Sequence, residues 1–405
     1  MDHSKSTRLG LRLSGKFKKC ACAAVALTVL VSTISFVGSS TPSRISQAPI
    51  ESEQTQSQAR TPGVSFKRYT FRDVPWSINV VRIDRSRTNL FLTTTLGEGS
   101  RQGLGRLTQQ LKRIQVGRPV AAVNGDFYQT EGDEYSGDPR GLQITNGELV
   151  SSPNERVSFW VDTNGAPQME VVKPNFTVTW AGGEKTAFAV NEERGRRAVL
   201  YTGVVGKSTK TAGGVEFILE KVSDEKWLPL RAGEKFPAKI REIRQGGNSR
   251  LDKETLVLSL ARLPSSGGAA EAEVGETVWI STETSPSLRG VQTAIGGGPA
   301  LVRDGKAQPV RVSKSNDRHP RSAVGWNEKE IMFVTVDGRQ PRLSNGMTLP
   351  ELADFLAKLQ CTEAMNLDGG GSAEVWMDGK ILNSPCYGHE RSTANALVLV
   401  EKEAK

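Results

Sequence analysis

Apolar residues recur at two spacings along the chain, and the shorter spacing predicts β-strands. Alternation or short apolar runs occur in INVVRID (78–84) and FLTTTL (91–96), as expected for strands with one or both faces buried. Three other segments, ITNGELV, VRDGKAQ and WMDGKIL, place Asn-Gly or Asp-Gly between short apolar runs. This pattern predicts three β-hairpins, with Asp304 and Asp378 as turn residues.

The longer spacing predicts two amphipathic helices. In LGRLTQQLKRIQV (104–116) the apolar residues recur every three or four positions, which is the helical period. In TLPELADFLAKL (348–359), Thr348 and Glu351 have capping-box spacing and Pro350 lies in the first turn. Both helices are expected to place an apolar face on a sheet.

The middle of the chain, residues 166–290, contains more strand-like runs, VEFILEKV, TLVLSLARL and TVWISTE, separated by Gly-rich breaks. It carries few candidate catalytic groups, so we predict a β-rich insert or subdomain there. Because clear helices are few, the whole pattern predicts an α+β fold that is strand-dominated, with a mixed sheet and a few covering helices.

The amino terminus differs in composition from the rest. Residues 20–38 form an uncharged run of apolar and small residues after a basic flank, so residues 1–38 indicate a signal peptide or a membrane anchor. This predicts an extracytoplasmic location, periplasmic or secreted, with membrane attachment through residues 20–38 if that segment is retained. Residues 39–63 are rich in Ser, Gln, Pro and Thr, which predicts a flexible linker before a folded domain at 64–405.

The net charge of +9 is weaker support for a nucleic-acid partner than it first suggests. Six basic residues and one acid lie in the first 20 positions, and no nucleic-acid-binding pattern accompanies them, so no such partner is expected. Outside the leader, Cys361 and Cys386 fit either a disulfide, which export slightly favours, or two separate buried thiols.

Four clusters combine glycine or proline with charge: NGDFY (124–128), GGG (296–298), DRHPR (317–321) and NLDGGGS (366–372). Glycines let backbone N–H groups converge on an anion, or they make a tight turn; both interpretations remain open for each GGG. The Arg and His residues of DRHPR suit a phosphorylated substrate, or they form an exposed salt-bridge site. Asp337 and Arg339 follow an apolar run and lie either in a substrate loop or in another turn.

Several kinds of site have no support in the spacing. No HExxH, paired CxxC or EF-hand pattern occurs, and neither does GxSxG. We therefore expect no metal, no cofactor and no serine nucleophile of the elbow type.

The order of the motifs resembles the phosphodiester glycosidase family. NGDFY, GLQITNGELVSSP, IGGGPALV, RHPRSAVGW, VDGRQPRLSNGMTLPELADFL, NLDGGGSAEVWMDGKILN and ERSTANALVLV occur in that order over roughly residues 65–400, and the similarity is strongest over 317–400. The resemblance implies a hydrolase that cleaves a sugar-1-phosphodiester at the sugar C1–O bond. The products are a free sugar and a phosphate monoester, and the expected partner is a phosphate-linked carbohydrate of the envelope or an extracellular glycan.

The resemblance also implies a set of site residues, carried over position by position. The catalytic candidates are Asp368, Asp126, His319 and Asp337. The substrate-binding candidates are Asn124, Arg140, Gly297, Gly298, Arg321, Arg339, Gly369, Gly370, Gly371 and Arg391.

Within this set, Asp368 is the expected nucleophile or general base, and Asp126 is the rival carboxylate. The N–H groups of Gly369–Gly371, with Arg321 or Arg339, are expected to bind the phosphate. His319 is expected to donate a hydrogen bond to the phosphate or to act as a weak acid.

Two other functions remain open at this level. A glycan-binding or envelope-assembly protein can use the same cleft without turnover. A phosphodiesterase would cut the P–O bond instead, and chelator sensitivity would favour it.

Overall fold

The structure, a computed structural model, describes residues 53–403 apart from Arg72, 131–133, 224–226 and 311–316. The predicted leader and the first part of the predicted linker lie outside these residues. Among the helices in the described part of the chain, none is long and apolar enough to span a bilayer.

The strands that precede residue 172 are β1 (Glu53–Gln58), β2 (Val64–Phe71), β3 (Trp76–Asp84), β4 (Leu90–Thr94), β5 (Gly105–Arg106), β6 (Arg118–Asn124), β7 (Gln143–Thr145), β8 (Glu148–Ser151), β9 (Val157–Val161) and β10 (Pro167–Val171). The next group is β11 (Lys173–Thr179), β12 (Lys185–Val190), β13 (Ala198–Tyr201), β14 (Val215–Lys221), β15 (Lys235–Gln245), β16 (Leu256–Leu260) and β17 (Thr277–Ser285). The last group is β18 (Thr293–Gly296), β19 (Ala300–Arg303), β20 (Lys306–Ala307), β21 (Arg321–Trp326), β22 (Glu330–Val336), β23 (Glu363–Asn366), β24 (Val375–Met377), β25 (Lys380–Ile381), β26 (Ser392–Thr393) and β27 (Ala396–Glu401). The two α-helices are α1 (Leu107–Leu111) and α2 (Leu349–Lys358).

These strands form three sheets, a closed barrel and a two-stranded ribbon. The first sheet has the order β1-β2-β3-β22-β21-β23-β19-β20, the second β10-β9-β18-β7-β8 and the third β25-β24-β6-β27-β4. The barrel is β11-β12-β13-β16-β14-β15-β17, and β26 pairs with β5. The barrel strands lie inside the range 166–290 that the sequence pattern marks as a β-rich insert.

The strand-dominated prediction is confirmed, and with two short α-helices in the described residues the fold is mostly β and not α+β. The predicted mixed pairing occurs in the barrel, whereas the three open sheets are antiparallel. Within the described residues, β12 with β13 is the parallel pair, and every other strand pair is antiparallel. Hairpin connections explain this, because a tight turn joins only antiparallel neighbours. The three predicted hairpins are present, and the central residues of each turn have positive φ, for example 51° at Asn146 and 82° at Gly147.

The core is layered because strand residues alternate between faces. On β3, Val81 and Ile83 pack into the cluster that joins the first and third sheets, whereas Ile78 and Val80 pack into the cluster that contains α2. On β27, Leu397 faces the first of these clusters. The first and third sheets are therefore packed face to face.

The α2 helix follows the sequence prediction closely. The Thr348 hydroxyl accepts the N–H of Glu351, and the Glu351 carboxylate accepts the N–H of Thr348, which completes the capping box. Leu352, Phe355 and Leu356 are buried. The helix also fixes the residue before its cap, Met347, which takes part in the candidate site described below.

The α1 helix is much shorter than the predicted 104–116. Gly105 and Arg106 pair with β26, so the chain is extended immediately before the helix. Arg106 supplies no side-chain cap. The buried side chain of Gln110 instead donates to the carbonyls of Gly105 and Thr393, at 2.7 and 2.9 Å.

The folded part begins before the predicted start near Val64. Strand β1 pairs with β2 along its full length, so the linker prediction is corrected for Glu53–Gln58. Backbone pairing with a neighbouring strand does not require an apolar face, which explains why the polar sequence EQTQSQ gives no strand signal.

Both described cysteines are free thiols, which corrects the slight preference for a disulfide. Cys361 is buried, with its Sγ 3.8 Å from the Sδ of Met332. Cys386 is half-buried, with its Sγ 3.8 Å from the carbonyl oxygen of Gly370. The two thiols are therefore packed in different surroundings.

Candidate functional site

The candidate residues converge because several strands end at the same edge. Asp368 follows β23, Asp337 follows β22, and Arg321 begins β21. In the antiparallel register Arg321 pairs with Val336, and Ala323 pairs with Asn366, so these strand ends are neighbours. Asp126 follows β6 of the third sheet. The preceding residue, Gly125, accepts the N–H of Asp368 at its carbonyl oxygen, at 3.0 Å.

Asp126 is the more enclosed of the two candidate carboxyl groups. It is 2% exposed, and its Oδ1 accepts the N–H of Phe127 at 2.7 Å. Its Oδ2 is buried without a hydrogen bond of ordinary geometry and lies against Gly141 and Gly296. A Cβ on Gly296 would come within 2.4 Å of that oxygen, so glycine is needed where the strand passes the carboxyl group.

Burial raises the pKa of Asp126 to about 7, and the negative charge of Asp368 adds to the rise. The N–H of Phe127 and the charge of Arg156 oppose it. A carboxyl group in this position holds its proton at pH values where ordinary aspartates have lost theirs.

Asp368 is half-buried, and its surroundings favour the ionised form more strongly. Burial raises the pKa of Asp368 to about 6, while Ser372, the charge of Arg391 and the N–H of Gly369 oppose the rise. The Gly369 N–H donates to Oδ1 at 2.9 Å. Asp368 is therefore the carboxylate that is both accessible and charged near neutral pH.

Asn124 holds the backbone around Asp368, and its predicted contact with substrate stays a prediction. Its Nδ2 donates to the carbonyl of Asp368 at 2.7 Å. Its Oδ1 accepts the Ser322 hydroxyl at 2.6 Å and the N–H of Glu374 at 3.1 Å. The side chain is 0% exposed, and both ends of its amide are occupied.

Two of the three N–H groups expected to form a phosphate cradle in NLDGGGS, those of Gly369 and Gly370, donate to protein acceptors. The N–H of Gly369 donates to Asp368, and the N–H of Gly370 donates to the carbonyl of Pro320 at 2.8 Å. Close packing explains why these positions are glycine. A Cβ on Gly369 would lie 2.7 Å from the Pro320 oxygen, and one on Gly371 would lie 2.2 Å from the Tyr387 ring.

The glycines before β19 have a similar packing role. A Cβ on Gly297 would lie 2.6 Å from the carbonyl oxygen of Asn366. Gly298 has φ of 108° and donates its N–H to that same oxygen at 2.7 Å. The turn is thus tied to the end of β23, and Gly298 lines a cavity beside it.

Two predicted cations lie beside the glycine turn. The Arg321 guanidinium donates to the carbonyls of Met347 and Asp317, at 2.9 and 2.7 Å. Burial, together with the positive charge of Arg339, lowers the pKa of Arg321 to about 10. Arg339 is exposed, and its Nη2 lies 3.2 Å from the position that a Cβ on Gly370 would occupy. Two cations held this close create a positive potential that suits an anion.

Arg391 adds a third positive charge on the Asp368 side. Its Nη1 donates to the Ser372 hydroxyl at 3.4 Å, and its guanidinium lies 5.7 Å from the centre of the Tyr128 ring. His319 is held by backbone pairing with Met347 and lines the same cavity as Arg321.

Neither Asp337 nor Arg140 lines the cavity that His319 and Arg321 line. The carboxylate of Asp337 is 2% exposed and accepts the Ser77 hydroxyl, the Asn79 amide and the Ser384 N–H, at 2.7, 3.1 and 2.8 Å. These three hydrogen bonds hold the 384 segment in place, and a catalytic role for Asp337 stays a prediction. Arg140 lies in a separate, larger cavity and donates to the Gln129 side chain.

Two functional candidates were missed at the sequence level. Glu374 is 0% exposed, its Oε1 accepts the Arg391 N–H at 2.9 Å, and its Oε2 is buried without a partner. Burial raises the pKa of Glu374 to about 8. A carboxylate inside the apolar run SAEVWM was a usable signal. Arg156 packs over the Phe127 ring at 5.1 Å, and nothing in its loop sequence predicts that contact.

A cavity of about 580 Å³ lies beside these residues. Phe127 and Gly369, the neighbours of Asp126 and Asp368, line it together with Arg156, His319 and Arg321. It is large enough for a small ligand and has cationic walls next to the carboxylates. Among the described residues, no three His, Cys, Asp or Glu side chains are grouped as metal ligands would be.

Comparison with known proteins finds a partial match to one family. Residues 246–400 match the sequence profile of the phosphodiester glycosidase family. The SPbeta prophage-derived protein YomE of Bacillus subtilis is 33% identical over 115 residues, which cover 27% of this chain and 18% of that protein. Human N-acetylglucosamine-1-phosphodiester alpha-N-acetylglucosaminidase is 27% identical over 176 residues, which cover 36% of this chain and 34% of that protein.

The chain thus spans about a third or less of the length of these curated relatives. A crystal structure of a hypothetical protein from Synechocystis has a TM-score of 0.69 and 18% identity, and the match covers 87% of this chain and 64% of that one. That similarity concerns the fold.

Proposed function

We propose that this protein hydrolyses a sugar-1-phosphodiester, because residues 246–400 match the sequence profile of the phosphodiester glycosidase family. The sugar C1–O bond breaks, the sugar is released, and a phosphate monoester remains on the other partner. The observation that carries the proposal is the position of Asp368, a half-buried and ionisable carboxylate beside a cavity with cationic walls.

The chemistry requires both charges. As the C1–O bond breaks, positive charge develops on the sugar ring and negative charge on the departing phosphate oxygen. The ionised Asp368 stabilises the first, either by attacking C1 or by taking a proton from the attacking water. Arg321 and Arg339 stabilise the second, because fixed cations in a partly dry site interact strongly with developing negative charge.

The atoms balance without any further reactant. The electron pair of the C1–O bond leaves with the phosphate oxygen, and the water oxygen forms the new bond to C1. One water proton stays on the new sugar hydroxyl, and the other is released through Asp368.

Of the two rival carboxylates, Asp368 is the one that we assign to the reaction. Asp126 is too enclosed to face the cavity, since it is 2% exposed and its Oδ2 is covered by Gly141 and Gly296. We assign Asp126 a positioning role. While it is protonated it adds no negative charge behind Asp368, and so it does not repel the anionic substrate.

The natural substrate is proposed to be a phosphate-linked envelope or extracellular glycan. The basis is the leader-like run at 20–38 followed by the polar 39–52 segment, which together indicate export. Periplasmic or secreted location is part of this proposal.

The test is to incubate the full chain with UDP-N-acetylglucosamine and other sugar-1-phosphodiesters in water enriched in oxygen-18. Mass spectrometry of both products then locates the label. Label in the free sugar is the expected result, because water attacks carbon. Label in the phosphate would mean P–O cleavage and would overturn the proposal.

Two controls sharpen this test. Asp368→Asn is expected to lose turnover, whereas Asp378→Asn makes the same chemical change in a hairpin turn that tolerates asparagine and is expected to keep it. Absence of turnover with every substrate would favour a glycan-binding protein. Loss of turnover on adding a chelator would favour a metal-assisted phosphodiesterase.

A further inference from the structure

A cavity rich in lysine lies at the end of α2 that is far from the candidate active site. It has a volume of about 430 Å³, within the range of small-molecule sites. Leu349, the first residue of α2, lines the candidate active-site cavity, whereas Lys358, the last, lines this one. A helix of 10 residues is about 15 Å long. Among the described residues, none lines both cavities.

Positive charge dominates the lining of this lysine cavity. The cationic residues are Lys67, Arg82, Lys329 and Lys358, and the acidic residue is Glu330. The Arg82 guanidinium donates to the Glu330 carboxylate at 2.5 Å, so this pair is neutral as a whole. In the described part of the chain, none of the three lysines forms an ion pair. Three positive charges are therefore left without a carboxylate.

The three lysines come from different elements and meet at one concave place. Lys67 lies on β2, Lys329 precedes β22, and Lys358 ends α2. Lys67 has its Nζ 5.0 Å from the centre of the Tyr69 ring, and Lys358 lies at the negative end of the helix dipole. Such contacts favour a cation only weakly and leave its charge in place. Because like charges gathered in this way repel one another, the cavity favours an anion.

The excess of positive charge indicates which anion fits. A carboxylate carries a single negative charge and would leave most of the excess uncompensated. A phosphate monoester carries about −1.5 to −2 at pH 7, and pyrophosphate carries more. Each lysine ammonium group offers three N–H donors and binds phosphate as a point charge. Asn327 and Gln360 complete the polar part of the lining.

We propose that the lysine cavity is a second anion site, which binds a phosphate group with two or more negative charges, as in a monoester or pyrophosphate. The inference goes beyond the proposed function and does not rest on it. None of its tests requires turnover, so its failure and the failure of the proposed hydrolysis are distinguishable.

The first test is calorimetry with inorganic pyrophosphate and the full chain. Lys329→Gln/Lys358→Gln removes two of the unpaired charges and should raise Kd by at least about tenfold, the equivalent of about 1.4 kcal/mol. Lys253→Gln/Lys306→Gln is the matched control, because both lysines are exposed and neither lines the cavity. It should keep the wild-type Kd. Absence of binding, or the same Kd in all three proteins, would refute the inference.

The candidate active site also offers cations to pyrophosphate, so Arg339→Ala is titrated in parallel. Binding that is kept in Arg339→Ala and weakened in the lysine double variant supports the lysine cavity. Two sites in the wild type, with a different one lost in each variant, support it equally. Binding that is lost in Arg339→Ala and unchanged in the lysine double variant would place pyrophosphate in the candidate active site and contradict the inference.

Lysine acetylation locates the site in the wild-type chain, without dependence on how a variant folds. The full chain is treated with an N-hydroxysuccinimide ester of acetic acid, and mass spectrometry follows each lysine. Pyrophosphate should slow the acetylation of Lys67, Lys329 and Lys358 and leave that of Lys253 and Lys306 unchanged. Equal rates with and without pyrophosphate at the first three would count against the cavity.

Vesicles separate the two sources of such a phosphate group. Sedimentation compares phosphatidylcholine vesicles with and without phosphatidic acid, whose headgroup is a phosphate monoester. A preference for phosphatidic acid that pyrophosphate and the lysine double variant both abolish identifies a lipid headgroup as the ligand. Pyrophosphate binding without this preference identifies a soluble phosphate compound, and both results support the site. A preference that survives in the lysine double variant and in the presence of pyrophosphate argues against it.

Discussion

Asp126 and Asp368 both follow apolar strands, yet their surroundings give them different protonation. Burial raises the pKa of Asp126 to about 7 and that of Asp368 to about 6. Between these values Asp368 is ionised while Asp126 keeps its proton. Pairs of carboxyl groups with separated pKa values are the usual basis for a division of roles in a site.

This difference predicts a bell-shaped pH profile. The value of kcat/KM should rise as pH increases through about 6, because Asp368 must lose its proton. It should fall as pH increases through about 7, because an ionised Asp126 repels the anionic substrate. The measurement is kcat/KM from pH 4.5 to 9, and a flat profile across 5.5–7.5 would contradict the assignment.

The two asparagine variants should differ strongly. Asp368→Asn removes the carboxylate that acts at C1 and should lower kcat by roughly 10²–10⁴-fold. Asp126→Asn resembles the protonated form, so it should keep kcat within about tenfold of the wild type, well short of the loss usual for a general acid. It should also lose the fall above pH 7. A larger decrease in kcat for Asp126→Asn than for Asp368→Asn would indicate that Asp126 is the reacting group.

At the scale of elements, the glycine turn depends on what each added methyl group would meet. A Cβ at 369 meets the backbone oxygen of Pro320 at 2.7 Å, and that oxygen is fixed by its bond from Gly370. A Cβ at 371 meets the ring of Tyr387, which is 55% exposed and can move. The contact at 371 is shorter, but rotation of the Tyr387 side chain can relieve it.

We expect Gly369→Ala to destabilise the fold by about 1–3 kcal/mol and to lower kcat by displacing Asp368. Gly371→Ala should lower the free energy of unfolding by less. Adding Tyr387→Ala to it should restore the lost stability. Denaturant unfolding and initial rates on the same samples test both points. Equal losses of stability at positions 369 and 371 would show that glycine is required by the backbone conformation of the turn and not by the group that an added Cβ meets.

The cap of α2 offers a second prediction at this scale. Thr348→Ala removes the side-chain acceptor for the Glu351 N–H and should lower the free energy of unfolding by about 0.5–2 kcal/mol. Thr348→Ser keeps the hydroxyl and should keep most of the stability. Because Met347 precedes the cap and accepts from Arg321, KM for the phosphodiester should also rise in the alanine variant only.

At the scale of the whole molecule, buried carboxyl groups determine how stability responds to pH. The pKa values of Asp126, Asp368 and Glu374 are raised in the folded chain. In the unfolded chain these groups lose their protons near pH 4–4.5. Between the unfolded and folded pKa values, unfolding therefore releases protons, and the free energy of unfolding falls as pH rises.

For Glu374 this loss begins near pH 4.5 and is complete at about pH 8. The side chain in Glu374→Gln cannot ionise. The unfolding free energy of the variant minus that of the wild type should therefore increase by at least about 1.4 kcal/mol from pH 5 to pH 8, the equivalent of one pKa unit. Denaturant unfolding at four pH values measures this gain. The exposed Glu242→Gln makes the same change in net charge and should show no such gain; identical slopes for Glu374→Gln and the wild type would contradict the role of burial.

The sequence by itself determined the features that depend on neighbouring residues. The three Asn-Gly and Asp-Gly hairpins need positive φ at adjacent positions, and that requirement is local. The capping box at Thr348 and Glu351 is local as well. The order of NGDFY, RHPR, VDGR and NLDGGGS was enough to indicate a resemblance to the phosphodiester glycosidase family and to place Asp368 among the candidates.

Only the tertiary structure decided which of these residues are free to act. Asn124, Asp337 and the N–H group of Gly370 all form hydrogen bonds with partners that are distant in sequence. No local pattern encodes such partners, because they are brought together by sheet register and by the packing of the first sheet on the third. The pKa values of Asp126 and Glu374 have the same origin, since desolvation depends on everything that surrounds a carboxyl group.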